Sequence, residues 1–293
     1  MNIKNLEYFV TIAKYENISK AAEKLYVAQP ALSKYLSDLE KELGYKLFDR
    51  NGKNIKLNQN GEIYLQYAKN VLQESKNVLT HLQEQNDNFS KKITFGVSVC
   101  SQLLGDILSE FHNMHPEVQM YIITGYPLDF DSNNLDLIID CDTSTPDNTI
   151  PLMTEKLKIA MPKEKHFSYK KIYEESLSGK QSLIIPSKHT SLGQVLLKYY
   201  YEDIKKQTDS KHFYTPLIVN NSFVQCDLVE KNIGISVVPE KTWKSIYSTK
   251  NIVLKEINPP ITRDIFLRIN PNKYKTKIID EFVKYLKNYF KNL

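Results

Sequence analysis

Polar side chains between residues 29 and 37 have the spacing of one exposed helix face. Leucines at intervals of three or four in the same segment supply the opposite, apolar face. Glutamine can form two hydrogen bonds with adenine, and lysine reaches guanine or a phosphate, so such a face suits the major groove of DNA. The side chains predicted to do this chemistry are Gln29, Ser33, Lys34 and Ser37, with Pro30 at the start of the helix.

Two shorter helical segments precede this one and would hold it in place. Leu6 and Phe9 recur at a helical interval, and the pair Ala21 and Ala22 would let a second helix approach closely. Ser19 stands at the start of that second helix as its predicted N-cap, and we also place it among the DNA-facing residues. Three short helices with one tight turn predict a helix-turn-helix, although a plain three-helix bundle with a polar surface has the same periodicity.

A short β-hairpin is predicted directly after the helices. Apolar residues at 47–48 and 55–57 flank Asn51-Gly52, a dipeptide that favours a type I′ turn. Arg50 and Lys53 would lie at the tip of this hairpin, where basic side chains contact phosphates. The hairpin is therefore predicted to be the wing of a winged helix-turn-helix.

A single long helix is predicted after the wing, because residues 62–86 contain neither proline nor glycine. Apolar and small residues recur at alternating intervals of four and three, the pattern of a coiled-coil seam. Such a seam could join two copies of the chain, or it could pack the helix against its own domain. The seam residues are Tyr64, Ala68, Val71, Ser75, Val78 and Leu82.

Residues 21–62 resemble the signature of the LysR family of bacterial transcriptional regulators. The resemblance is carried by the alanine pair, the run from Gln29 to Ser33, Leu43-Gly44, Leu47-Phe48, and then Arg50 and Gly61. It implies a winged helix-turn-helix that binds double-stranded DNA, followed by a linker helix that forms an antiparallel dimer.

Four features depart from the family pattern. Ala28 stands where the family has serine, so the recognition helix loses its usual N-cap, and residues 58–61 cap the linker helix differently. The connection from Gly125 to Asp136 is short, and Asn232 replaces the first glycine of a Gly-x-Gly turn. These changes predict a remodelled cleft, so the usual aromatic or dicarboxylic effectors are not assumed.

Strands and helices alternate over the remaining two hundred residues, which predicts an α/β fold. Residues 135–139 form a nearly continuous apolar run, typical of a strand buried on both faces of a parallel sheet. Further strands are predicted at 93–97, 118–124, 182–185, 215–219 and 235–238, with helices at 103–111, 192–201, from about 222, and at 277–291. The region 262–269 and the last helix resemble a return to the first lobe. The family resemblance implies a two-lobed sensor of the periplasmic-binding-protein-like type 2 fold.

Ligands of open α/β sheets bind beyond the carboxyl ends of strands, beside helix N-termini. Hydroxyl, amide and carboxyl side chains occupy several such positions, although serine and asparagine there are often only N-caps. Free backbone N–H groups at helix starts favour negative charge, so the effector is predicted to be anionic or polar. The candidate effector-binding residues are Ser98, Cys100, Ser101, Gln102, Thr124, Asp140, Ser187, Thr190, Asn221 and Ser222.

Composition narrows the class of protein. The chain has 293 residues, with 41% hydrophobic and 25% charged, which are the proportions of a globular protein of two or three domains. There is no long apolar run and no signal peptide is expected, so we predict a cytoplasmic protein that does not contact a membrane. Cys100, Cys141 and Cys226 are too scattered for a disulfide framework or a zinc site. A redox switch between Cys100 and Cys141 is a second hypothesis, and apolar filling is favoured.

Competing functions are an enzyme and a stand-alone solute-binding protein. The first lacks a glycine-rich phosphate loop, a metal-ligand spacing and a nucleophile elbow, and the second would not carry residues 1–61. No cofactor and no metal are predicted. The predicted partners are DNA, a small-molecule effector, a second copy of the chain as dimer or tetramer, and RNA polymerase. The predicted domains are 1–61 for DNA binding, 62–88 for the linker helix and 89–293 for effector binding, with one lobe at about 92–162 and 264–293 and the other at about 163–263.

Overall fold

A computed structural model of the chain describes residues 2–51, 54–85, 91–125, 134–141, 148–164, 182–196, 217–248 and 250–293. It forms two compact units. The first contains Met1–Phe89 and Asn272–Tyr274, and the second contains Ser90–Pro271 and Lys275–Leu293.

The first unit begins with three helices, α1 (Ile3–Tyr15), α2 (Ile18–Leu25) and α3 (Gln29–Leu43). Their apolar faces meet around Phe9, Ala21 and Leu32, each fully buried, so the alanine permits the predicted close approach. Helix α3 starts after Ala28 without a side-chain cap, as the departure from serine predicted, and Pro30 lies in its first turn.

The predicted N-cap of α2 was wrong. The cap is Asn17, whose side-chain oxygen accepts a hydrogen bond from the backbone N–H of Lys20 at 2.9 Å, and Ser19 is already inside the helix. Both residue types cap helices well, so the sequence allowed either. The choice follows from the extended backbone of Asn17, which places its side chain over the first turn.

The wing is a hairpin of β1 (Phe48–Asn51) and β2 (Asn54–Leu57), paired antiparallel with Asn51 opposite Asn54. This register puts Asn51 in the strand. The predicted type I′ turn and the Lys53 side chain lie outside the described residues.

The linker helix α4 (Gln59–Glu84) contributes to two different surfaces. Near its start, Tyr64, Ala68 and Val71 pack into the core of the three helices, and the Tyr64 ring meets Phe9 edge-on. Further along, Val78 and Leu82 are 52% and 56% exposed. The predicted seam is therefore split, with its first half packed inside the first unit and its second half on the surface of that unit.

The start of α4 is held by Asn58 and Gly61. The Asn58 side chain accepts a hydrogen bond from the N–H of Gly61 at 3.0 Å and donates one to the carbonyl of Lys46 at 3.0 Å. A Cβ atom on Gly61 would lie 2.1 Å from the carbonyl oxygen of Leu47 and 2.6 Å from Leu57 Cδ1. Only glycine allows α4 to start this close to the wing.

The second unit is built on one mixed sheet. Over the described residues its strands follow the order β4-β3-β5-β11-β6-β9-β7-β8, and β10 pairs with β6. These strands are β3 (Lys92–Val97), β4 (Gln119–Thr124), β5 (Leu137–Asp140), β6 (Thr149–Pro162), β7 (Ser182–Pro186), β8 (Leu217–Val219), β9 (Gly234–Pro239), β10 (Ile252–Glu256) and β11 (Thr262–Ile269).

Helices cover this sheet. They are α5 (Leu104–Met114), entered through a 3₁₀ turn at Ser101–Leu103, then α6 at residues 191–196, α7 (Ser222–Glu230), α8 (Lys244–Tyr247) and α9 (Lys277–Lys291). The helix at 277–291 is confirmed at the predicted bounds, and the region 262–269 is strand β11. The predicted helix residues after 196 and strand residues before 217 lie outside the described part of the chain.

Two lobes arise because β6 changes partners along its length. Its first eight residues pair with β11, in a lobe with β3, β4 and β5, whereas its last six pair with β9 and β10, in a lobe with β7 and β8. Strands β6 and β10 were not predicted from the sequence. The parallel environment predicted for β5 is only half right, because β5 is parallel to β3 but antiparallel to β11.

Substituting Gly61→Ala should lower the stability of the first unit. We expect a loss of about 1–3 kcal/mol, because the new methyl group collides with the Leu47 carbonyl and the backbone must move. Calorimetric unfolding of the full chain measures the effect. Gly105→Ala, in helix α5 where a Cβ meets nothing within 4 Å, is the control and should be neutral or stabilising by about 0.5–1 kcal/mol. Unchanged stability of Gly61→Ala would contradict the close approach.

Candidate nucleic-acid interface and effector cleft

The face of α3 opposite the core presents the predicted DNA-contacting side chains. Gln29, Lys34 and Ser37 are exposed, and Ser33 is half-buried. Leu32 and Leu36, which alternate with them, are fully buried. The helical period of α3 thus decides which side chains pack in the core and which remain exposed and able to enter a groove of DNA.

The other predicted DNA contacts lie around this face. Pro30 is exposed at the start of α3, and Ser19 is exposed in the first turn of α2. Arg50 lies in strand β1, and its side chain, like the whole of Lys53, is outside the described residues.

A buried carboxylate, which sequence reasoning missed, links α3 to the wing. Glu40 is 4% exposed and accepts hydrogen bonds from Leu47 N–H at 2.9 Å and Phe48 N–H at 3.4 Å, while Lys46 Nζ lies 2.7 Å away. Burial raises the pKa of this carboxyl, but the hydrogen bonds from Lys46 and the two backbone N–H groups outweigh it and hold the pKa below its ordinary value. Glu40 therefore fixes where the wing starts relative to the recognition helix.

A cavity of about 370 Å³ opens in the second unit where strands of both lobes end. Eight of the ten predicted effector residues line it, whereas Asp140 and Ser187 do not. Asn220, Gln225 and Arg263 line it as well and were not predicted from the sequence. The eight predicted lining residues are Ser98, Cys100, Ser101, Gln102, Thr124, Thr190, Asn221 and Ser222.

Some of these side chains already cap helices. Thr190 Oγ1 accepts a hydrogen bond from Gly193 N–H at 3.0 Å, and Asn221 Oδ1 accepts from Phe223 N–H at 2.9 Å. Ser187 Oγ lies near the N–H of His189 at 3.4 Å. For Thr190 and Asn221 the predicted N-cap role describes what the side chain does, whereas Ser187 contacts the turn before α6 and caps no helix.

Asp140 lies behind the cavity wall and joins the two lobes. It is fully buried, its Oδ1 accepts from Ser98 Oγ at 2.6 Å and Ser191 Oγ at 3.3 Å, and its Oδ2 is paired with Arg268. Ser98 belongs to the lobe of β3, and Ser191 begins α6 in the other lobe. Asp140 thus positions two cavity-lining hydroxyls without lining the cavity itself.

A second buried ion pair borders the cavity. Arg263 is 6% exposed; its Nε and Nη2 lie 2.8 Å and 2.7 Å from Glu155 Oε1, and Nη2 donates to Thr242 Oγ1 at 2.9 Å. The sequence did contain a signal for Arg263. It precedes Ile265 and Leu267 at intervals of two residues, so the three side chains share the buried face of β11. An arginine on an otherwise apolar strand face requires a buried partner.

The cysteines are free thiols. Cys100 is buried, and burial raises the pKa of its thiol well above the ordinary range, while burial raises the pKa of Cys226 to about 11. A suppressed thiolate reacts slowly, which supports the filling role and leaves the redox hypothesis as a prediction. Within the described residues, no group of three His, Cys, Asp or Glu side chains could hold a metal ion.

Two family matches cover most of the chain. Residues 3–62 match the bacterial regulatory helix-turn-helix proteins of the lysR family, and residues 87–291 match the LysR substrate binding domain. The chain belongs to the LysR family. It is a DNA-binding transcriptional regulator whose C-terminal domain responds to an effector.

Relatives and solved structures agree with this membership. The HTH-type transcriptional regulator CitR of Bacillus subtilis is 24% identical over 292 residues, which cover 96% of this chain and 98% of CitR. A full-length OxyR variant from Pseudomonas aeruginosa has a TM-score of 0.66 at 20% identity, with 99% of this chain and 95% of OxyR covered. CbnR in complex with its target DNA has a TM-score of 0.60 at 15% identity, with 98% and 99% covered. At these identities the two structures show that this LysR chain shares their fold.

The hydropathy of the helices bears on membrane contact. In the described part of this LysR chain, no helix combines the length and apolar character needed to cross a bilayer.

Replacing Glu40 by glutamine should destabilise the first unit in a pH-dependent way. Because the folded-state pKa is depressed, the stabilisation by the charged carboxylate is present above a pH of about 4.5 and is lost as the pH falls through the folded value. We expect a loss of about 1–3 kcal/mol at pH 7 and a smaller one at pH 4, measured by calorimetric unfolding. Glu42→Gln, an exposed neighbour on α3, is the control and should change little at either pH. An equal loss at both pH values for Glu40→Gln would show that charge is not the source.

Proposed function

We propose that residues 1–61 bind an operator through α3 and the wing, that residues 62–88 link and dimerise the chain, and that residues 89–293 bind a small-molecule effector in the interlobe cavity. The predicted lobes, about 92–162 with 264–293 and about 163–263, are kept with two changes at their borders. Residues 157–162 go to the second lobe because they pair with β9 and β10, and residues 262–263 go to the first lobe as the start of β11. The proposal rests on one observation: the chain has both an exposed polar face on α3 in its first unit and a cavity lined by hydroxyl and amide groups in its second unit.

The DNA-facing set is Gln29, Ser33, Lys34 and Ser37, supported by their place on the outer face of α3. Arg50 and Lys53 are assigned to phosphates from their position in the wing sequence. Ser19 and Pro30 complete the interface at the starts of α2 and α3. Glutamine in this set supplies base recognition, whereas the basic residues supply affinity that falls with salt.

The second half of the α4 seam is proposed as the dimer contact. Val78, Leu79 and Leu82 are each more than half exposed, and apolar side chains so spaced on a helix suit a second helix. Dimers of this kind can pair again into a tetramer.

The chain is proposed to be a cytoplasmic regulator and not an enzyme. This is supported by the function of its relatives, which are transcriptional regulators. RNA polymerase is proposed as a partner at the promoter.

Lys34→Ala should weaken operator binding about tenfold or more and lower the salt dependence by about one phosphate contact. The operator is first obtained by sequencing the DNA that the full chain selects from genomic fragments, and affinity is then measured at two salt concentrations. Lys287→Ala removes the same charge from an exposed position on α9 and should bind as the unsubstituted chain does. Full affinity of Lys34→Ala at both salt concentrations would contradict the assignment of α3 as the DNA-binding helix.

Val78→Asp combined with Leu82→Asp should shift the full chain towards monomer, because a dimer seam would bury like charges. Sedimentation velocity reports the mass. Gln66→Asp combined with Asn70→Asp adds the same charges at the same spacing on an exposed polar part of α4, and should keep the assembly. If both double variants sediment like the unsubstituted chain, the seam is not the contact.

A further inference from the structure

The charged groups around the effector cavity are already neutralised by the protein. Arg263 is the one arginine or lysine among the described residues that line the cavity, and it is held by Glu155. Glu155 also accepts hydrogen bonds from the N–H groups of Lys241 at 3.1 Å and Thr242 at 3.0 Å. The pair therefore forms a closed network with no net charge.

A ligand carboxylate could pair with Arg263 only by displacing Glu155, which costs free energy. Glu155 is 2% exposed, so losing its arginine would leave a buried carboxylate without a counter-charge. Such a loss is strongly unfavourable, and a new carboxylate on Arg263 would gain little beyond what Glu155 already provides. Arg263 therefore adds little to the affinity of the cavity for an anionic ligand.

Two of the three helix starts at the cavity are also occupied, whereas the 3₁₀ turn at Ser101–Leu103 that leads into α5 has no side-chain cap and keeps backbone N–H donors for a ligand acceptor. Thr190 satisfies the N–H of Gly193 at the start of α6, and Asn221 satisfies those of Phe223 and Val224 at the start of α7. These side chains accept the hydrogen bonds that an anion at a helix N-terminus would otherwise accept.

The charge behind the cavity wall is neutralised as well. Asp140, which accepts a hydrogen bond from Ser98, is balanced by Arg268. Neither of the two buried ion pairs at the cavity therefore offers an uncompensated cation to an anion.

We propose that the effector of this chain carries no net negative charge and is recognised through hydroxyl and amide hydrogen bonds. The inference rests on the proposed function of the cavity as the effector site, and it selects the polar alternative over the anionic one. Five lining side chains form no hydrogen bond with another described residue and would serve as donors and acceptors, with Val99, Leu192 and Val219 supplying apolar contact. The five are Ser101, Gln102, Thr124, Asn220 and Ser222.

Matched pairs of compounds that differ only in charge test the proposal. Lactate with lactamide, succinate with succinamide and benzoate with benzamide, together with uncharged polyols, are screened for thermal stabilisation of the full chain. Uncharged members are expected to stabilise more than their carboxylate partners. Stronger stabilisation by the carboxylates would overturn the inference and leave the effector cavity intact, whereas no stabilisation by any member would overturn the effector function itself and the inference with it.

A variant that adds a positive charge to the cavity wall tests whether the compounds bind in the cavity. Gln102→Lys places an uncompensated cation at the cavity wall and should raise the ratio of carboxylate to amide affinity about tenfold, the effect of one charge-assisted hydrogen bond. Gln119→Lys adds the same charge on β4 away from the cavity and should leave the ratio unchanged. If the two variants behave alike, the compounds bind elsewhere and the inference is overturned.

Discussion

The ion pair between Arg263 and Glu155 sets the geometry of the effector unit. Glu155 lies on β6 at the end of its pairing with β11, just before β6 turns to β9 and β10 in the other lobe. Thr242, which follows β9, joins the same network through its hydroxyl and its N–H. One buried charge pair therefore fixes two strands of one lobe and a segment of the other, and the cavity forms beside it.

Buried carboxylates recur as joints between elements. Asp140 holds a serine from each lobe, Glu155 holds β11 to β6, and Glu40 holds the wing to the recognition helix. Each is buried and accepts backbone or hydroxyl hydrogen bonds as well as facing a cation, so its desolvation is compensated. Because several donors converge on each carboxylate, the position of DNA-facing and effector-facing groups depends on few residues.

This arrangement connects the two activities of a LysR regulator to specific chemistry. On the DNA side, Glu40 sets the start of the wing while the outer face of α3 remains available to a groove. On the effector side, charge is satisfied internally and the lining keeps uncharged donors and acceptors. Hydrogen-bonding sites of this kind discriminate among ligands by the groups that they leave unpaired.

Local patterns in the sequence determined the helix-turn-helix, the wing, the linker helix and α9, because periods of 3.6 and 2 residues record which face of an element is buried. Strand ends and helix starts were equally local, so eight of the ten effector residues predicted from their position along the chain do line the cavity. Only the tertiary structure decided that Asn17 and not Ser19 caps α2, and that the first half of the α4 seam packs within its own unit. It alone also showed that β6 serves both lobes and that Arg263 faces Glu155 while Asp140 stands behind the wall. These outcomes depend on contacts between residues far apart in the chain, such as the 108 positions between Glu155 and Arg263, and no local period encodes such pairs.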